Sequence, residues 1–169
     1  NWFGYHYFSA PIENATLMEI DDDLTLRGLG GNINSTPFPN IWYYDETVVS
    51  TNFLDGWLVP NEATDNMVTM KGYALNMYND FKLDFRGTLN TGNYSIPVTR
   101  TSSGNVDADG WNFVGNPYPS VIDWDNVILP SGIDNAVYFW DESTVQYASY
   151  VNGIGVNEGT KYISSTQGF

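Results

Sequence analysis

The sequence predicts an all-β chain, an antiparallel β-sandwich built from two related copies of one unit. Three observations predict it. Aromatic residues, which suit strands and large buried surfaces, make up 16% of the 169 residues. Sixteen glycines and eight prolines are spread along the chain as turn punctuation rather than gathered in one tract. No segment sustains a helical period over the roughly 11 residues that a helix assignment needs.

The duplication shows in two blocks. Gly4-Tyr5-His6-Tyr7-Phe8-Ser9 with Pro11 matches Gly110-Trp111-Asn112-Phe113-Val114-Gly115 with Pro117, at an offset of 106. Trp42 to Tyr73 then lies without a gap on Tyr138 to Phe169, at an offset of 96. There Trp42-Tyr43-Tyr44-Asp45-Glu46 meets Tyr138-Phe139-Trp140-Asp141-Glu142, and Gly72-Tyr73 meets Gly168-Phe169. Repeats decide architecture, and two copies are too few for a solenoid. Residues 1–100 form the first copy, 101–109 a polar connector and 110–169 a shorter second copy, packed as one domain or set in tandem. The second copy has no counterpart of the segment after Tyr73, so the native polypeptide is expected to continue past Phe169.

Taken in order, Trp2 to Ser9 alternates aromatic and polar residues as a strand does, and Pro11 ends it by removing a ladder donor. Short apolar pieces flank Asp21-Asp22-Asp23, and Gly28 to Asn40 is a loop. Ile41 to Tyr44 and Thr47 to Phe53 are expected to pair around an Asp45-Glu46 turn. Asn66 to Met70 and Tyr73 to Tyr78 are further strands. The clearest hairpin covers 81–98, where Phe81, Leu83 and Phe85 alternate with charges and Asn90 to Asn93 has turn chemistry. Asn126 to Leu129, Ala136 to Trp140, Val145 to Tyr150 and Lys161 to Ser164 complete the strands.

Charge narrows the function. Six basic residues face 20 acidic ones, for a net charge of −14, and no Lys or Arg occurs between Thr101 and Thr160. Nucleic acid needs basic partners for its phosphates, so it is excluded as a partner. An anionic membrane surface would repel the chain, and no apolar run approaches the roughly 20 residues of a span. Cysteine is absent and His6 is the one histidine, so thiolate and imidazole metal sites are excluded. An acidic surface fits an extracellular protein.

The candidate sites follow from these limits. No cofactor is required. Calcium is the metal the chain would take, at Asp107 and Asp109 ahead of Gly110, although a polar turn explains the same residues. Trp57 and Trp124, flanked by turn residues, are the aromatics expected to be exposed and able to stack on a glycan. Asp123 and Asp125 are expected to cap backbone amides. His6 sits inside a strand pattern, where a polar edge role outweighs a catalytic one. Twenty acids always offer some carboxylate pair, and nothing singles one out for glycoside hydrolysis.

The stretch Gly110 to Asp125, GWNFVGNPYPSVIDWD, resembles a module of large secreted and surface proteins of Bacteroidota, typically cargo of the type IX secretion system. The resemblance rests on Gly110, Trp111, Asn112, Gly115, Asn116, Pro117, Tyr118, Pro119, Asp123 and Trp124, then on Val137 to Asp141 and Gln167-Gly168-Phe169. It implies an extracellular location and a non-catalytic structural or adhesive role, with no catalytic residues to carry over. The expected partners are other domains of the same polypeptide, or copies of itself meeting at open strand edges. A carbohydrate-binding module is the alternative, with glycans as partners, and a hydrolase domain is the third class.

Overall fold

The computed structural model describes residues 4–48, 50, 52–79, 81–104 and 109–169. The chain is all-β and antiparallel throughout. β1 (Gly4–Phe8), β2 (Ile41–Tyr44), β3 (Trp57–Leu58) and β4 (Tyr73–Met77) form one sheet in the order β1-β4-β2-β3. β5 (Ile122–Asp123) pairs with β9 (Tyr162–Ile163). β6 (Ala136–Asp141), β7 (Gln146–Val151) and β8 (Ile154–Val156) form a three-stranded meander. The strands are thus shared among three small sheets. One helical turn, α1 (Met18–Asp21), interrupts them in a segment read as short apolar pieces.

Strand alternation places two cores. In β6, Val137 and Phe139 point inward and join Ala148, Tyr150, Trp124 and Ile163. In β2, Ile41 enters a second cluster with Phe8, Leu17, Ile20, Met67 and Leu75. The opposite faces of β2 and β6 carry Trp42, Tyr44, Tyr138 and Trp140, at repeat-related positions. Their rings meet edge to face, Tyr44 with Trp57 at 5.3 Å, Trp111 with Tyr138 at 5.0 Å and Trp140 with Tyr147 at 5.2 Å. Tyr7 of one block touches Phe113 of the other at 4.7 Å.

Backbone contacts at repeat-related positions exchange the blocks. The Ser9 N–H donates to Thr166 O and the Gly115 N–H to Met70 O, each at 2.8 Å. The Gly168 N–H donates to Tyr7 O at 3.0 Å, and the Gly72 N–H to Phe113 O at 3.1 Å. Phe8 bridges Gln167, and Lys71 bridges Val114. Met70 and Thr166 share the left-handed backbone (φ 67° and 60°) that turns their carbonyls across. Within each block, Phe8 pairs with Tyr73, and Val114 exchanges both backbone bonds with Phe169. A Cβ on Gly115 would lie 2.4 Å from Ser9 Cβ, so the blocks approach closely at these two matched positions. A Cβ on Gly72 would lie 2.6 Å from the Phe113 ring. Gly72→Val is therefore expected to cost about 1–3 kcal/mol by overpacking the seam, measured as a lower urea midpoint with the m-value unchanged.

Several expected elements are absent. The 81–98 segment is not a hairpin. Its backbone finds other partners: the Asp84 N–H donates to Asp23, the Arg86 N–H to Glu19, and Thr88 O accepts from the Glu13 N–H. Leu83 and Phe85 still pack against the first core, so the apolar alternation is used without a ladder. Of the expected Thr47 to Phe53 strand, Val49 and Thr51 lie outside the described residues; among the described ones, Phe53–Gly56 forms a 3₁₀ turn and Trp57–Leu58 pairs with β2. Asn66 makes a single bridge to Thr16 rather than opening a strand through Met70, whose left-handed backbone breaks extension. Asn126 to Leu129 is not a strand, because Trp124–Asn126 forms a 3₁₀ turn capped by Asp123. β8 is a strand without an alternation signal of its own, added to β7 through the Asn152-Gly153 turn.

A candidate aromatic binding cleft

The surface between the blocks holds a cleft of about 300 Å³. Its floor follows from the ladder register, in which Tyr7 pairs with Ala74 and Ala74 with Trp42. The small Ala74 side chain in the middle strand leaves room between two rings. Tyr5, two residues before Tyr7, shares its face and packs on Trp42 at 5.5 Å. The 3₁₀ turn brings Phe53 and Leu54 to one rim, and the Gly28–Asn40 loop brings Ile33 and Phe38 to another. β3 supplies Trp57, and β6 and β7 close the far wall with Trp140 and Tyr147.

Some of the polar groups on the walls are partnered. The Tyr7 and Tyr147 hydroxyls lie 3.3 Å apart. Burial, reinforced by that hydroxyl contact, pushes the Tyr7 phenol far above its usual range. Glu142 accepts from the Tyr5 N–H at 3.1 Å and from the Trp140 indole N–H at 2.6 Å. The carboxylate occupies the space a side chain at Gly4 would need, where φ is 133°. Its repeat-related partner, Glu46, is buried on the other side of the seam. Glu46 accepts from the Thr99 hydroxyl at 2.7 Å, the Thr101 hydroxyl at 2.9 Å, the Gly110 N–H at 2.9 Å and the Thr101 N–H. Each glutamate thus accepts from the segment that opens the other block, Glu46 from Gly110 and Glu142 from Tyr5.

The structure divides the residues expected to act. Trp57 lines the cleft. Trp124 does not: it is 8% exposed, with its indole N–H on Asn135 at 2.8 Å and its ring edge-on to Phe169. The flanking turn residues suggested exposure, but the 3₁₀ turn aims the ring into the second core. Asp107 lies outside the described residues. Asp109 accepts from the Ser103 N–H at 3.0 Å and from the Ser103 hydroxyl. Among the described residues, no group of three His, Asp or Glu is placed to hold a metal. Nor is any helix long and apolar enough to cross a membrane.

The remaining motif residues serve the seam. Gly110 donates to Glu46, and the Asn112 side chain bonds the Thr99 N–H and carbonyl. Asn116 is fully buried, and its amide donates to the carbonyls of Ser120, Ser164 and Ile163. Pro117 is buried and its carbonyl accepts from Asn90, whereas Pro119 is exposed. The Tyr118 hydroxyl donates to Gly92 O. Asp123 caps the following turn, and with Asp125 it holds Lys161 at 2.9 and 3.2 Å, which raises the Lys161 pKa. His6 lies within β1, opposite Leu75. Trp42 and Trp140 carry a sequence signal, since each lies in one copy of the repeated block, matched to Tyr138 and Tyr44. Phe53 and Tyr147 carry none.

An all-β fold with an aromatic cleft at the seam of two matched blocks defines the class of this protein. The chain belongs to the family described as Domain of unknown function (DUF8693), whose profile matches residues 1–167. No curated protein and no solved structure matches it.

Proposed function

We propose that this chain is a non-catalytic structural and adhesive module of a larger secreted or cell-surface protein, with the aromatic cleft as its contact surface. The cleft is the observation that carries the reading. Phe38, Phe53 and Tyr147 on its rim are each about 40% exposed, and an exposed concave apolar surface of this kind marks an interaction site. The resemblance of the Gly110 to Asp125 motif to modules of type IX cargo in Bacteroidota supports the extracellular setting. The reciprocal backbone bonds support reading the blocks as copies of one unit, paired about an approximate two-fold axis beside Ser9 and Gly115. A unit closed on itself in this way suits a place in a string of domains. β8, exposed along its length, is the edge where a second copy would add a strand.

A glycan is the alternative occupant of the cleft, favoured by the Trp57 ring beside the Tyr7 and Tyr147 hydroxyls. The test is to locate the native protein in cell fractions and measure its intact mass, then compare attachment of wild type and Phe53→Ser. Recovery on the cell surface at a mass well above 18.9 kDa, with attachment lost in the variant, is expected. Recovery in the cytoplasm, or unchanged attachment, overturns the reading.

A further inference from the structure

We infer that the cleft takes a cationic side chain, lysine or arginine, presented by a basic partner polypeptide. The inference rests on the cleft being the contact surface proposed above. Eight of its eleven lining residues are aromatic and none is charged. Ring faces carry the negative end of the aromatic quadrupole, so several rings around one space attract a cation. A carboxylate stands at the wall: Glu142 bonds both Tyr5 and Trp140, two of the residues that line it. The chain as a whole carries a charge of −14, which draws a basic partner from a distance.

The protein uses the same chemistry with its own cations. Lys71 Nζ sits 3.8 Å from the centre of the Tyr43 ring, the Arg27 guanidinium 5.0 Å from Tyr78 and Lys161 Nζ 5.3 Å from Tyr162. These are half of the six basic residues, and none of the six lines the cleft. The rings line the cleft without a cation of the chain among them, so the cation comes from outside. A neutral sugar fits less well. It needs directed donors and acceptors around the rings, and three of those on the walls are already engaged, two tyrosine hydroxyls with each other and the Trp140 N–H with Glu142.

The test titrates the full chain with an oligolysine peptide, with the same peptide acetylated on every side chain, and with a neutral cello-oligosaccharide. Tryptophan fluorescence reports binding, since Trp42, Trp57 and Trp140 line the cleft. Oligolysine is expected to bind saturably, and acetylation to weaken it roughly tenfold or more. Glu142→Gln, which keeps an acceptor for Tyr5, and Phe53→Ser at the rim are each expected to weaken it about threefold to thirtyfold. Equal binding of the acetylated peptide overturns the inference. So does oligolysine binding that ignores both substitutions, since that is diffuse attraction to an acidic surface. Saccharide binding sensitive to Phe53→Ser, without oligolysine binding, overturns the cationic occupant and leaves the contact surface standing. Attachment unchanged in Phe53→Ser removes the contact surface itself.

Discussion

Glu46→Ala is expected to lower the unfolding free energy by about 3–5 kcal/mol, because it strands several buried donors at once. Both the Thr101 and Gly110 N–H groups point at one carboxylate oxygen, and the Thr99 and Thr101 hydroxyls at the other. Glu46 is 7% exposed, so water does not replace it freely. Glu46→Gln should cost far less, about 1 kcal/mol, since its carbonyl can keep the two backbone bonds and its amide can donate to the two hydroxyls. The pair of variants therefore separates lost hydrogen bonds from lost charge.

The charge shows itself in pH dependence. Burial pushes the Glu46 pKa up, but the hydrogen bonds from Thr101, Thr99 and Gly110 outweigh it and hold the carboxyl below its ordinary value. A group lowered in the folded state contributes stability that is complete above its unfolded pKa, about 4.3, and is lost as the pH falls through the folded value. Wild type should thus lose stability on acidification below about pH 4.3, and Glu46→Gln should lose less by one group's share. Urea midpoints of both proteins across that range make the measurement. Parallel curves would show that Glu46 carries no charge-linked stability.

The second large effect is expected at Asn116. Asn116→Ala should cost roughly 2–4 kcal/mol, since it removes one amide that serves three carbonyls and the oxygen that accepts from the Tyr118 N–H. Asn116→Asp should be worse, although it is the closer shape. It puts an acceptor where three carbonyl oxygens converge and where no water reaches to compensate. Midpoints in the order wild type, Ala, Asp are expected. An Asp variant as stable as wild type would mean that the amide orientation at this position does not organise the Asn-Pro turn.

What the sequence discloses depends on how local the cause is. Ala136 to Trp140 reads as a strand without any partner being known, and it is one, with Val137 and Phe139 in the core. Pro11 and Pro117 mark the ends of matched segments for an equally local reason. The 81–98 segment misleads because its alternation is real while its backbone partners are carboxylates on Glu19 and Asp23, far away in sequence. Trp124 misleads because flanking aspartates fit a surface turn as well as a capped 3₁₀ turn aimed inward. The cleft is half legible. Trp57 stands out alone, but Ala74 matters only through its register between Tyr7 and Trp42, and Tyr147 arrives from the other block. Glu46 and Glu142 could be paired from the repeat, yet nothing in the repeat says that each reaches across to the opposite strand.

The exchange of bonds between Ser9 and Thr166, and between Tyr7 and Gly168, ties β1 to a segment about 160 residues away in sequence. During synthesis, β1 is made roughly 160 residues ahead of these partners, although β4 follows it sooner. At about 5–20 residues per second that wait lasts on the order of ten seconds or more. Through it, β1 can pair with β4, but Tyr7 lacks its Phe113 and Tyr147 neighbours. Folding of this kind is slow and governed by closure between distant segments, so the chain is vulnerable as it emerges rather than once it is folded.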